Sequence, residues 1–334
     1  MEILDWIAEA LEPKDCNSEE FMYDDMQSQS GRCLPIIYQP FDMDRRMHWT
    51  DRGALFDFLS ATAGRNKRIL DFGPGDGWPS LIMAPFVSEV VGVEGSRRRL
   101  EVCRKNAGRL GITNARFEYV EAGNPLPFDD NTFDGVTAAS SVEQTPDPRE
   151  TLKEVHRVLK PGGRMRISYE DLDRYRGGME FEVGIADLDD NRISIMVYDR
   201  HIDDEYARMY RLTLSLPKHE ALAMLSASSG SISSSSITVA QLEKASPFII
   251  GAKTCRLTHP SGETLGRWLK ASGFSEVQGT HSGIGFAGAL FDSLPDAIRP
   301  RDLGGLDNLL EPVIGLIVQM AAPLHSNPMI TAIK

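Results

Sequence analysis

Three glycines and two carboxylates stand at spacings that could hold a ligand. Residues 68–80 read RILDFGPGDGWPS, so Gly73, Gly75 and Gly77 alternate directly after an apolar run carrying one charge, Asp71. Glycine accepts a positive φ and has no Cβ, so such a turn lets the backbone approach a ligand closely. Glu94 ends the next apolar run, EVVGV, about 20 residues past the turn, where a carboxylate can accept both hydroxyl hydrogens of a ribose. The dinucleotide fingerprint GxGxxG needs a glycine at position 78, which is Trp78; this disfavours a nicotinamide-dependent dehydrogenase. Three further groups could face a substrate or move a proton. Glu143 follows the run FDGVTAAS (133–140), at the strand end where open α/β sheets bind ligands. His48 precedes the cap of a helix expected from about residue 50, and Tyr169 follows the run RMRIS.

These groups need a scaffold, and the hydrophobic pattern supplies one. Strands are expected at 68–72, 89–93, 115–120, 133–140 and 164–170, separated by helices at about 78–87, 96–109 and 149–159. Strands alternating with helices of this length imply a parallel, doubly wound sheet. Ahead of it, residues 1–64 read as a helical extension or lid, with an amphipathic helix at 1–15, a polar stretch holding Tyr23, Tyr38 and Phe41, and a helix at 47–63. Residues 65–170 form the expected core. An insertion at 171–260 carries strand-like runs at 181–186, 193–201 and 209–216, a helix at 218–228, and the serine-rich segment 226–236, read as a surface loop. Residues 261–334 return to the core with a helix at 261–272, a strand SEVQGTH, a largely helical, apolar stretch at 284–323 and a strand MITAIK.

Composition narrows the function. With 48 acidic against 36 basic residues, the formal charge is −12, which works against nucleic-acid phosphates. No run of apolar residues is long enough for a membrane span, and the acidic N-terminus does not read as a signal peptide. Cys16, Cys33, Cys103 and Cys255 lack metal-ligand spacing, so free thiols, no metal and a cytoplasmic location are expected. A dimer contact through exposed insertion strands is a candidate.

The glycine turn, Glu94, the run LPFDDNTFD (126–134) and LKEVHRVLKPGGRMRIS (152–168) together closely resemble the class I S-adenosylmethionine-dependent methyltransferases, type 11 branch. The block match covers about 66–170, and GFSEV and MITAIK resemble that family's sixth and seventh strands. The resemblance implies a seven-stranded Rossmann-like sheet, S-adenosylmethionine as cofactor and a small-molecule acceptor. It also implies that Asp71 holds the amino group of the methionine moiety, that Gly73 and Gly75 underlie the cofactor, and that Glu94 binds the ribose. Gly95 and Ser96 begin the adjoining loop, and Ala139 and Ser140 lie beneath the cofactor. The family's adenine-binding acid is replaced by Ala122, with Glu121 or Asn124 as substitutes, or with no such contact. Arg45 or Arg46 could hold the cofactor carboxylate. Glu143 and Gln144 stand where many relatives carry a His pair or Glu-His. A cofactor-binding but non-catalytic relative of the same fold is the alternative.

Overall fold

The computed structural model describes residues 2–17, 21, 41–171, 181–189, 191–225 and 237–334. Tyr23, Tyr38 and the serine-rich segment 226–236 lie outside the described residues. The chain divides into two units, Cys33–Asp171 with Pro260–Lys334, and Met1–Arg32 with Leu172–His259. The first 64 residues are thus divided between the two units. Their first half carries a short strand, Lys14–Asp15, that pairs with Ile249–Thr258; their second half carries a helix whose core belongs to the glycine-turn unit.

In the glycine-turn unit we number seven strands, β1 Arg68–Phe72, β2 Glu89–Glu94, β3 Ala115–Tyr119, β4 Phe133–Ala139, β5 Leu159–Ser168, β6 Glu276–Thr280 and β7 Met329–Ile333. They form one sheet in the order β6-β7-β5-β4-β1-β2-β3. Only β7 runs antiparallel to its neighbours. The expected doubly wound, mostly parallel, seven-stranded sheet is thus present. Its order reverses between β1 and β4, the place where the carboxyl ends of the strands open a crevice.

Six longer helices cover this sheet: α1 Arg46–Ala61, α2 Arg97–Leu110, α3 Pro148–Val158, α4 Gly262–Ala271, α5 Gly283–Ser293 and α6 Leu303–Ile317. β1 is apolar on both faces because both are buried. Leu70 packs with Val136, Leu152, Val155 and Leu265, while Ile69 packs with Phe58, Leu59, Ile82 and Ile314. The helix starts follow local chemistry. Asp147 caps α3 ahead of Pro148, and Ser96 caps α2, accepting from Arg99 N. The stretch expected to be helical from 284 to 323 breaks into α5 and α6, with Pro295 and Pro300 in the interval.

α1 is buried nearly all round, and it carries charges there. Arg52 donates two hydrogen bonds to Asp307 on α6, at 2.7 and 2.6 Å. Asp57 meets Arg166 of β5, and both side chains are fully inaccessible. Arg166 gives two bonds to Asp57 at 2.7 and 3.0 Å, and others to Thr280, Thr331 and the His281 carbonyl. Asp57 also accepts from Gly283 N, at the start of α5, at 2.6 Å. One buried ion pair thereby ties α1, α5, β5, β6 and β7 together.

The second unit holds a five-stranded sheet in the order Lys14–Asp15, Ile249–Thr258, Tyr206–Leu214, Arg192–His201, Phe181–Asp189. One face packs with Trp6 and Ile7 of the helix Ile3–Leu11 through Ile193, Ile195, Val197, Leu212 and Leu214. The strand Ile249–Thr258 was not expected from the sequence; a register shift at Gly251 interrupts its alternation. Among the described residues no helix is long and apolar enough to cross a membrane, and no group of three or more His, Cys, Asp or Glu side chains could hold a metal ion.

Candidate functional site

The glycine turn leaves β1 at the point where the strand order reverses. Gly73, Gly75 and Gly77 all have positive φ, at +74°, +61° and +107°. At Gly73 a Cβ would lie 2.5 Å from the Cβ of Ser141, so the chain after β4 packs directly on the turn. Ser141 secures that contact by donating its hydroxyl to the Phe72 carbonyl at 2.6 Å. Gly75 differs: a Cβ there would meet only an Arg99 nitrogen, at 3.9 Å. The turn is therefore closed beneath Gly73 and open above Gly75.

Glu94, at the end of β2, is buried, and its carboxylate bridges two loops. Oε2 accepts from Gly75 N at 2.9 Å and Oε1 from Ser96 N at 3.0 Å. These two backbone bonds fix the orientation of the carboxylate at the end of β2. Gly95 lies between Glu94 and the cap of α2 and shares this geometry. The carbonyls of the turn are held from α2, Gly75 O by the Cys103 thiol at 3.2 Å and Asp76 O by Asn106 at 2.8 Å.

Asp71 sits beneath the turn and not in it. It is fully buried; Oδ2 accepts from Ser80 N at 3.0 Å and Ser80 Oγ at 2.5 Å, and Oδ1 from Thr137 at 3.1 Å. Burial pushes its carboxyl up to about 6, against the pull of those bonds. Its oxygens face the start of the helix at Ser80 and the strand β4. Ser80, Thr137, Ser141, Cys103 and Asn106 escaped the sequence reading. The one signal was Thr137, a polar residue inside the apolar stretch of β4 that follows Asp134.

At the neighbouring strand ends, Ala139 closes β4 half-buried, and Ser140 follows with φ +51°. Glu121 is exposed and accepts from the Asn124 amide at 3.4 Å, and Ala122 beside it is half-buried. Glu143 lies in a short turn, Val142–Gln144, and is almost wholly buried. Its Oε1 accepts from Glu170 N at 2.8 Å, and its Oε2 has no hydrogen-bond partner. Burial pushes its carboxyl up to about 8, so at neutral pH it carries a proton. Because Oε1 is an acceptor already, that proton belongs on Oε2.

His48 lies inside the first turn of α1, not ahead of it. It is buried, and its Nδ1 accepts from Asp42 N at 3.0 Å. Burial and the charge of Arg45 hold the ring below its ordinary pKa. The neutral ring with Nδ1 accepting must carry its hydrogen on Nε2, and that atom is buried with no partner. His48 is thus arranged to donate a hydrogen bond and has no free nitrogen with which to take up a proton.

Two groups of candidates lie elsewhere. Tyr169 packs in the core with Leu265 and Leu269, and a Cβ on Gly262 would stand 2.7 Å from its hydroxyl, placing that hydroxyl at the start of α4. Arg45 pairs with Asp42 at 3.2 Å and Arg46 with Asp292 at 3.1 Å, so both guanidiniums are engaged. The structure brings together Gly73, Gly75, Glu94, Gly95 and, through Ser141, the end of β4.

A family model described as a methyltransferase domain matches residues 70–167. An uncharacterised methyltransferase of Bacillus subtilis, YcgJ, is 38% identical over 108 residues, covering 32% of this chain and 42% of the relative. A demethylmenaquinone methyltransferase of Clavibacter sepedonicus is 40% identical over 101 residues, covering 30% and 40%. The crystal structure of the Bacillus YcgJ protein aligns at 33% identity with a TM-score of 0.34, covering 35% of this chain and 50% of that one. The chain spans about two fifths of the length of these curated relatives.

Proposed function

We propose, with residues 70–167 a class I S-adenosylmethionine-dependent methyltransferase domain of the type 11 branch, that the chain transfers a methyl group from that cofactor to a small-molecule acceptor. The observation that carries this reading is the Glu94 carboxylate, held by Gly75 N and Ser96 N beside a turn that is open above Gly75. A ribose diol can donate to a carboxylate fixed at this strand end, and the open glycine accommodates a ligand that a side chain would displace. Gly73, Gly75, Glu94 and Gly95 would hold the cofactor, with Ala139 lining the floor.

When bound, the cofactor supplies an electrophilic methyl group on a sulfonium. The residues of this chain have to align the acceptor and exclude water. His48 would donate from Nε2–H to an acceptor-side oxygen, its Nδ1 being occupied by Asp42 N. Glu143 holds a proton at Oε2 near neutral pH and becomes able to accept one above about pH 8. Asp71 is assigned the task of holding the turn on the start of the following helix, not that of binding the amino group. No acid at Ala122 is needed if the Glu121–Asn124 pair stays at the surface.

The small-molecule class is supported by the net charge of −12, unfavourable for nucleic acid, and by a relative whose name specifies demethylmenaquinone. Acceptor recognition falls to segments outside residues 70–167, the block that the family model matches. A cytoplasmic setting and self-association through the edge strand Phe181–Asp189 belong to the same proposal. The second reading, a cofactor-binding protein that transfers nothing, is favoured by one observation: neither His48 nor Glu143 offers a free base at neutral pH. Incubating the purified chain with a cell extract and S-adenosylmethionine separates the two. Release of S-adenosylhomocysteine, lost in Glu94→Ala, supports transfer; cofactor binding without that release supports the second reading.

A further inference from the structure

Outside residues 70–167, two cysteines stand at the edge of the five-stranded sheet, Cys16 just past one strand and Cys255 on its neighbour. Lys14 pairs with Lys253 and Asp15 with Thr254 in parallel register. The backbone extends this by one residue, Cys16 N donating to the Thr254 carbonyl at 2.9 Å. The next pair in register is therefore Cys16 with Cys255. Residues opposite one another on parallel strands project to the same face, and the strands lie about 4.8 Å apart, within the Cα separation of about 4.4–6.8 Å that a disulfide spans. Both thiols do lie on one face. Cys255 is buried in a cluster with Phe21, Met196, Met209 and Leu257, and Cys16 packs against that cluster. Neither cysteine is in a disulfide.

We propose that Cys16 and Cys255 form a reversible disulfide that staples the N-terminal segment to the strand Ile249–Thr258, with a low-molecular-weight disulfide as the oxidant. The asymmetry of the pair sets the order of events. Cys16 is half-exposed and lies just past a two-residue strand, so it can meet the oxidant and shift toward its neighbour. Its thiolate attacks one sulfur of the oxidant, forming a mixed disulfide and releasing one thiolate. The Cys255 thiolate then attacks the Cys16 sulfur and releases the second. The two protein thiols lose two electrons and two protons, and the oxidant is reduced to two thiols. Burial and the neighbouring Cys16 push the Cys255 thiol up to about 11, which makes its attack the slower, resolving step. Cys103 stands apart from this chemistry, buried in the other unit against the Gly75 carbonyl.

The test treats the purified full chain with oxidised glutathione, blocks free thiols, digests without reductant and maps peptides by mass spectrometry. The expected result is a Cys16–Cys255 linked peptide, two hydrogens lighter than the sum of its parts. Dithiothreitol should remove it, Cys33→Ser should retain it, and both Cys16→Ser and Cys255→Ser should lack it. Glutathione retained on Cys16 with Cys255 still alkylatable overturns the proposal, as does a link from either cysteine to Cys33. The readout needs neither cofactor nor turnover, so it stands independently of the methyl-transfer reading.

Discussion

Replacing Arg166 by Met tests whether one buried ion pair fixes α1 to the sheet. The substitution deletes five hydrogen bonds, two to Asp57 and three to Thr280, Thr331 and the His281 carbonyl. Asp57 would then keep a bond from Gly283 N, yet remain fully buried without its counter-charge. Breaking a buried pair from one side destabilises by about 3–5 kcal/mol, because the orphaned charge stays desolvated. For a unit of this size each kcal/mol lowers the melting temperature by about 2–4 °C, so Arg166→Met should melt roughly 6–20 °C lower. The double change Asp57→Leu with Arg166→Met removes both charges and should recover most of the loss, since apolar replacement of a buried pair is often near neutral. Urea unfolding followed by tryptophan fluorescence reports both, Trp49 being a buried probe on α1 itself. An Arg166→Met protein within about 1 kcal/mol of the parent, or a double variant no better than the single one, would refute the reasoning.

Glu143 predicts a pH dependence. Its folded pKa, about 8, lies above the ordinary 4.5, so between those values the native state holds a proton that the unfolded chain has lost. Stability should fall as pH rises through that window, with a slope of about 1.4 kcal/mol per pH unit, and Glu143→Gln should flatten the curve above pH 6, where Asp71 no longer adds to it. Parallel profiles for the two proteins in pH-dependent urea unfolding would contradict the assignment. Gly73→Ala introduces a Cβ 2.5 Å from Ser141 at a φ of +74°; a loss of about 1–3 kcal/mol is expected, together with weaker cofactor binding. Adding Ser141→Gly should restore part of the stability by removing the clash, and calorimetric melting of the two variants checks both.

The alternation of strands and helices from 68 to 168 was legible because apolar runs such as VVGV (90–93) alternate with longer segments of helical pattern. Gly73, Gly75 and Glu94 were legible too, because the constraint that places them is local: a turn needing positive φ, and a carboxylate at the next strand end. What could not be read was pairing over long separations. Arg166 is one charge in a strand until Asp57, 109 residues away, is brought against it. Asp71 reads as a ligand-binding acid from its place at a strand end, and its bonds from Ser80 and Thr137 cannot be read there because Thr137 lies 66 residues away. The role of His48 depends on which nitrogen Asp42 N reaches, a matter of geometry that residue type does not encode. The first 64 residues read as one helical piece because Lys14–Asp15 is too short a strand to register as a pattern; its partner lies at Lys253–Thr254.

We propose that Glu94 holds the cofactor's ribose beside the open glycine. Isothermal titration of purified protein with S-adenosylhomocysteine tests it most directly, free of any assumption about the acceptor. The account predicts saturable one-site binding by the parent. Glu94→Gln should bind at least about tenfold more weakly, since hydrogen bonds to a charged group contribute about 1.5–3 kcal/mol each, and should stay folded with a lower melting temperature, because its amide nitrogen cannot accept from one of the two backbone N–H groups, Gly75 or Ser96. No binding heat from the parent, or equal affinity in Glu94→Gln, would contradict it.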